Sequence, residues 1–152
     1  MIQIGQASVD NAADILALQK QAYLQEAELY NDYSIPPLTQ TLESITKDFE
    51  KLIFLKAVQD GSIVGSVRGC LEKDSVAIGR LIVDPFLQGQ GIGTILMEAI
   101  ENHFPECSRF ELFTGTKSDR NIRLYKRLGY DPFREEEIHP GLTLVFLEKI
   151  VK

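Results

Sequence analysis

Short runs of alternating apolar and polar residues are broken by segments in which apolar residues return every three or four positions. The first pattern is that of a half-buried strand, the second that of an amphipathic helix. Ile2 and Ile4 alternate with polar neighbours and predict an opening strand. A helix follows, capped by Ser8 or Asp10 and running to about Tyr30, with Ile15, Leu18 and Ala22 as its buried stripe. Asn31 to Pro37 reads as a loop by composition. Thr39 is placed to cap a second helix with Leu42, Ile45 and Phe49 on one face. Leu52–Gln59 and Ile63–Leu71 read as strands joined at Asp60-Gly61, a hairpin signal. Glu72-Lys73-Asp74 is a polar turn into a third strand, Val76–Val83, which Pro85 ends because it has no amide proton to give a ladder.

Ile92, Ile95, Leu96, Ala99 and Ile100 then repeat with helical period. After a break at Pro105-Glu106, Phe110, Leu112 and Thr114 alternate with Glu111 and Phe113 as a strand. Gly115 to Asp119 is a loop. Asn121 to Leu128 is a short helix with Ile122, Tyr125 and Leu128 on one side, ended by Gly129 as C-terminal cap. Tyr130–Ile138 and Leu142–Ile150 form a closing hairpin around His139-Pro140-Gly141. The predicted order is β-α-α-β-β-β-α-β-α-β-β, an α/β (α+β) chain with a mixed sheet. No repeat or linker interrupts it, so residues 1–152 are expected to form a single domain.

The central stretch carries the chemistry. A strand leads into Gly89, Gly91 and Gly93, and these lead into a helix. The first amides of a helix have no intrahelical partner, and the helix dipole places partial positive charge there. Glycines permit positive φ and close approach of a ligand to the backbone. A phosphate or pyrophosphate is the natural guest. Two familiar phosphate loops do not match: Gly93 is followed by Thr94 without a lysine, and the dinucleotide fingerprint needs its third glycine one residue later.

The run Leu81-Ile-Val83-Asp-Pro85-Phe-Leu-Gln88-Gly-Gln-Gly91-Ile-Gly93 resembles the acetyl-coenzyme A signature of the GNAT superfamily of N-acetyltransferases. That signature is Arg or Gln, two residues, Gly, one residue, Gly or Ala, after an apolar strand and a proline; Gln88, Gly91 and Gly93 fill it. The resemblance implies the acyl-CoA N-acyltransferase fold from end to end, with helices on both faces of a mixed sheet. It implies that the strands at Val76 and Phe110 are parallel neighbours that splay apart to admit the pantetheine arm. The backbone of Leu81, Ile82 and Val83 would pair with that arm, and the loop Gln88, Gly89, Gln90, Gly91, Ile92, Gly93 and Thr94 would hold the pyrophosphate.

Ser118 to Tyr130 resembles the superfamily's second coenzyme A motif. The family often has Asn seven residues before the tyrosine of its Leu-Tyr pair and Ala four before it. Here those positions are Ser118 and Asn121, so either side chain is a candidate to bond the cofactor arm, with Leu124 beside them. Tyr125 matches the tyrosine that in the superfamily often protonates the leaving thiolate. Its phenol, with a reference pKa of about 10, is protonated at neutral pH and can donate. An amine acceptor must lose a proton before attack, and Glu72, Asp74, Glu28, Asp32 and His139 are the candidate bases. Tyr23, Glu26, Glu28, Tyr30, Asp32 and Tyr33 gather acids and aromatics where the superfamily commonly seats its acceptor, a mixture suited to an amine.

The implied activity is acetyl transfer from acetyl-CoA to a primary amine of a small molecule or peptide, without a metal. A non-catalytic coenzyme A-binding regulatory module and an enzyme using another acyl-CoA donor are the alternatives. Composition narrows the partners. A net charge of −6 excludes a general nucleic-acid binder. No apolar run approaches the roughly 20 residues of a membrane span. Cys70 and Cys107 lack metal spacing and read as reduced structural thiols. The N-terminus shows no basic region followed by an apolar core, so the expected location is the cytoplasm. A homodimer is a superfamily-level expectation.

Overall fold

The computed structural model describes residues 1–151. Strands β1 (Gln3–Gln6), β2 (Ile53–Gln59), β3 (Ser62–Glu72), β4 (Ser75–Val83), β5 (Arg109–Gly115), β6 (Asp131–His139) and β7 (Leu142–Ile150) form one seven-stranded sheet, ordered β1-β2-β3-β4-β5-β7-β6. Among the described residues, β4 and β5 are the only parallel neighbours. The helices are α1 (Ala12–Tyr30), α2 (Pro36–Thr39), α3 (Leu42–Asp48), α4 (Ile92–His103) and α5 (Asp119–Arg127).

The helices cover both faces of the sheet because their apolar stripes meet the alternation of the strands. Ile15, Leu16 and Leu18 of α1 and Ile45 of α3 pack on Phe54 and Ile82. Ile92, Leu96, Met97 and Ile100 of α4 and Tyr125 of α5 pack on Val67, Val76, Ile78, Phe110, Leu112 and Leu147 from the other side. A Cβ on Gly65 of β3 would lie 2.9 Å from Leu96 and 3.1 Å from the Ile82 carbonyl, so only glycine lets α4 sit this close.

Several local expectations change. Of the two expected caps, Ser8 precedes a 3-10 turn, Val9–Asn11, and Asp10 lies inside that turn. Pro36 and Pro37 start the one-turn α2 within what reads as loop, since proline fits the first helical position. Thr39 is consumed in α2. The cap of α3 is Thr41, whose hydroxyl accepts from Ser44 N at 3.1 Å. Leu42 is exposed, because α3 is too short to bury more than Ile45 and the Phe49 that stacks on Phe54 at 4.0 Å. Tyr130 precedes β6 rather than starting it, and it is buried with Oη donating to Glu101 at 2.8 Å.

Candidate active site

The sheet opens beside β4. Ser75, Val76 and Ala77 pair with Arg109, Glu111 and the Phe110 between them, and pairing between the two strands stops there. On its other edge β5 pairs with β7 along its whole length. The β4 edge from Ile78 to Val83 is left facing the gap, a row of backbone donors and acceptors without a neighbouring strand. β4 is also bulged. Ser66 faces Ile82 while Arg68 faces Gly79, so Arg80 and Leu81 together oppose Val67 alone. Arg80 takes the left-handed backbone, φ +43°, which re-aims the residues after it. Leu81 and Val83 pack toward α4, whereas Ile82 is buried on the α1 side.

At the end of β4, Asp84 caps a 3-10 turn, Pro85–Leu87, by accepting from Phe86 N at 2.9 Å. Gly89 and Gly91 both lie at positive φ, +81° and +85°. Gly91 is the N-cap of α4, and the first helical bond runs from Ile95 N to its carbonyl at 3.1 Å. The amides of Ile92, Gly93 and Thr94 thus precede the helical ladder and face outward. Gln90 is exposed, and Gln88 reaches α1, donating to Gln25 at 3.3 Å. Gly93 serves packing: a Cβ there would sit 3.4 Å from Leu124 and 3.6 Å from Leu81, so α4, α5 and β4 converge on it.

Across the gap stands a polar cluster that joins the end of α1 to the start of α5. Ser118, the N-cap of α5, is buried, and its hydroxyl donates to Glu26. Asn121 Nδ2 faces Glu26 at 3.4 Å and Thr114 Oγ1 at 3.3 Å. A carboxylate only accepts, so the amide nitrogen must be the side turned to Glu26. Asn121 Oδ1 then has no protein partner, and no buried, unpartnered side-chain oxygen exists among the described residues, so Oδ1 is open to the gap. Tyr30 Oη accepts from Lys117 N at 2.8 Å and lies 3.4 Å from Ser118 Oγ. Tyr125 is buried at its ring, while its Oη makes no hydrogen bond in the protein and reaches solvent by the same reasoning. Burial, with Tyr23 and Glu26 nearby, raises its pKa, so the phenol keeps its proton.

Tyr30 can close this corner only because residue 115 is glycine. A Cβ there would lie 1.9 Å from Tyr30 Oη and 2.4 Å from Cζ. Gly115→Ala is expected to expel the ring and its Lys117 bond, at a cost of about 2–4 kcal/mol in urea denaturation. An unchanged midpoint would show that Tyr30 does not pack here.

The acetyltransferase (GNAT) family model matches residues 13–130. The chain belongs to the GNAT family. In Bacillus subtilis (strain 168) it is similar to the protein named UPF0157 protein YqkA, 26% identical over 133 residues, which cover 88% of this chain and 38% of that one. The chain therefore spans well under half the length of this curated relative. Among solved structures, the ribosomal-protein-S18-alanine N-acetyltransferase from Escherichia coli superposes with a TM-score of 0.83 at 15% identity, covering 99% of this chain and 94% of that one. The structure of yncA, a putative acetyltransferase from Salmonella typhimurium with its cofactor acetyl-CoA, gives a TM-score of 0.80 at 17% identity, covering 100% and 95%. These likenesses show the acyl-CoA N-acyltransferase fold, and the expected strand splay is present.

Within the GNAT frame the candidate bases separate. Glu72 and Asp74 lie at the exposed β3–β4 turn, where Asp74 O accepts from Ser108 N. That is the paired end of β4, about 20 Å along the strand from Leu81 at roughly 3.3 Å per residue. Glu28 is exposed. The carboxylate that stands at the gap is Glu26, which periodicity could not single out because Ser118 and Asn121 approach it from more than ninety residues away in the chain.

Asp32 and His139 are taken up by each other. His139 Nε2 donates to Asp32 Oδ2 at 2.8 Å, and Nδ1 faces the Pro140 carbonyl at 3.2 Å. Both ring nitrogens thus face acceptors, which favours the doubly protonated ring and raises its pKa from 6.5. Hydrogen bonds from Ser34 and then His139 lower Asp32 to about 2. The His139 contribution is full below its unfolded pKa and is lost as pH rises through the raised folded value. The Asp32 contribution is present above the ordinary carboxylate range and is lost as pH falls toward 2. The link between α1 and the β6–β7 turn is therefore strongest between about pH 4 and pH 6.5. An NMR titration should place the His139 midpoint above 6.5 and return it toward 6.5 in Asp32→Asn. The same midpoint in both proteins would rule the pairing out in solution.

Proposed function

We propose that the protein transfers an acetyl group from acetyl-CoA to a primary amine of a small molecule or peptide by direct attack. The observation that carries this reading is the open β4 edge running straight into left-handed glycines and the free amides of α4. The residues fit the cofactor. The exposed backbone of Leu81, Ile82 and Val83 offers a strand-like edge to the pantetheine amides. Gln88, Gly89, Gln90, Gly91, Ile92, Gly93 and Thr94 supply the loop and helix N-terminus for the pyrophosphate. Asn121 rather than Ser118 bonds the arm, since its Oδ1 is free whereas the Ser118 hydroxyl is committed to Glu26. Leu124 closes the wall through its packing on Gly93.

Bound acetyl-CoA supplies a thioester carbonyl for attack by the amine. Glu26 attracts the acceptor's ammonium and is placed to accept its proton. A backbone amide of the bulged β4 polarises the carbonyl, and Tyr125 donates a hydrogen bond to the departing sulfur. The reading needs no metal. Residues 1–152 would act as one domain, placed in the cytoplasm, where Cys70 and Cys107 remain free thiols as found. Phe113 and Phe133 are exposed on the face of β5 and β6 and pack against Phe146 of β7, which supports a homodimer.

Calorimetric titration with acetyl-CoA, with coenzyme A and NAD as controls, tests the site. A free-thiol assay across primary amines tests the reaction. Binding of acetyl-CoA and coenzyme A but not NAD, with thiol released only when an amine is present, is the expected result. A sample that binds neither, or that binds and never turns over, would sink the proposal.

A further inference from the structure

Building on that reading, we propose that the acceptor carries a carboxylate beside its amine, and that Arg80 and Arg68 form the subsite that holds the carboxylate. The two arginines meet on the α1 face of the sheet, at the bulge. Arg68 lies over Gly79, with Nε 3.6 Å from where a Cβ would be. Its Nη1 pairs with Asp48 at 3.1 Å. Arg80 makes one bond, from Nη1 to Gln40 Oε1 at 2.6 Å, and no carboxylate lies within ion-pair distance of it among the described residues. Gln40 is held in place by Gln19 and by its own bond to Asp48 at 2.8 Å.

This network fastens both guanidinium groups while using few of their donors. Among the described residues, Nε and Nη2 of Arg80, and Nε and Nη2 of Arg68, make no protein hydrogen bond, the Arg68 guanidinium otherwise lying over the Phe54 ring at 5.7 Å. None of these nitrogens is sealed from solvent, because among the described residues no buried side-chain nitrogen lacks a partner. Of two half-buried guanidinium groups, only Arg68 therefore has a carboxylate partner, Asp48, in a chain of net charge −6. Burial and mutual repulsion disfavour that arrangement until an anion arrives.

The subsite adjoins the reacting groups. Gln19, Tyr23 and Glu26 lie on one face of α1, at i, i+4 and i+7: Gln19 donates to the same Gln40 Oε1 that Arg80 bonds, and Glu26 faces Ser118 and Asn121. Tyr23 Oη also has no protein partner. The order along that face of α1 is thus Glu26, Tyr23, then Gln19 with the arginine pair beyond it. An ammonium is drawn to the first and an anion to the last. The one surplus positive charge matches a monoanion, and Glu26 on the far side disfavours a doubly charged phosphate. A planar guanidinium fork suits a carboxylate. The ligand class is an amino acid.

The test uses free amino acids, each beside its carboxamide and its decarboxylated amine, in the free-thiol assay at saturating acetyl-CoA. Phenylalanine, phenylalaninamide and phenethylamine are one such set. The acid is expected to exceed both relatives in kcat/KM by about 10- to 100-fold, the value of a charge-assisted hydrogen-bonded pair. Arg80→Gln should bring the acid down to the level of the carboxamide, mainly through KM, and Arg80→Lys should restore part of the difference. Carboxamides or plain amines that equal the acids, or a preference untouched by Arg80→Gln, would overturn the inference. A protein that binds acetyl-CoA yet acetylates no amino acid overturns it too. Failure to bind acetyl-CoA would instead remove the reading of the site on which it rests.

Discussion

Gly91→Glu is expected to weaken acetyl-CoA binding by at least about 100-fold, because it adds strain and charge at one position. Gly91 has φ +85°, and an L-residue in the left-handed region costs roughly 1–2 kcal/mol. A Cβ there meets nothing within 4 Å, so the substitution has no clash with the protein to explain away. The new carboxylate instead enters the space before α4, where it competes for the free amides. There it also repels the pyrophosphate. Two unit charges 4 Å apart near a surface interact by about 4 kcal/mol at an effective dielectric near 20, and the pyrophosphate carries more than one. Gly91→Ala separates the two causes, since it keeps the strain without the charge. It should lose about tenfold, and its loss should be insensitive to salt, whereas the glutamate's deficit shrinks as ionic strength rises. A glutamate variant that titrates like the wild type would mean that the anion sits elsewhere.

That glycine could be singled out in the sequence because a strand, a proline and a helical repeat flank it. The rest of the fold was legible for the same reason. Phe110, Leu112 and Thr114 are buried and Phe113 is exposed, as alternation demands. Asp60-Gly61 joins β2 to β3, and Gly129 follows α5 at positive φ. Where the sequence misled, two residues of the same type competed, or an element was too short to show its period. Thr39 and Thr41 are both good caps, and the prolines before Thr39 decided which was used. Leu42 fits an apolar stripe that a helix of seven residues does not complete.

The site was harder to read than the fold. Gln88 and the three glycines form one local motif, but the chemistry facing them is assembled across the sheet. Nothing near Glu26 in the chain distinguishes it from Glu28. The difference is that Glu26 faces Ser118 and Asn121 one turn before α1 ends, while Glu28 points to solvent. Arg80 is neither glycine nor asparagine, so the residue itself does not announce its positive φ, and Gly79 before it is the one local sign of a bulge. The free Oδ1 of Asn121 follows from where its Nδ2 is bound, which only coordinates reveal.

Tyr125→Phe is expected to lower kcat by about 100-fold while leaving the affinity for acetyl-CoA within a few-fold of wild type. The ring supplies packing to the α4–α5 core, and phenylalanine keeps that part. Only Oη is removed, and Oη has no bond within the protein to lose. A role in packing alone therefore predicts no effect of the substitution on turnover. Burial, Tyr23 and Glu26 raise the phenol's pKa, so Tyr125 is a donor at every working pH and never a base. A thiol has a reference pKa of about 8.5, so full proton transfer from this phenol to a thiolate in water would run uphill. In the proposed mechanism the group instead stabilises the charge that develops on sulfur by a hydrogen bond in a low-dielectric site, where such a bond counts for more than in water. Two readouts follow. The pH profile of kcat should keep its shape in Tyr125→Phe, because the lost group does not titrate in the range. The kcat deficit should shrink with acyl donors whose thiol is a better leaving group, since they need the donor less. A Phe variant with wild-type kcat would reduce Tyr125 to a core aromatic and leave the departing thiolate to solvent.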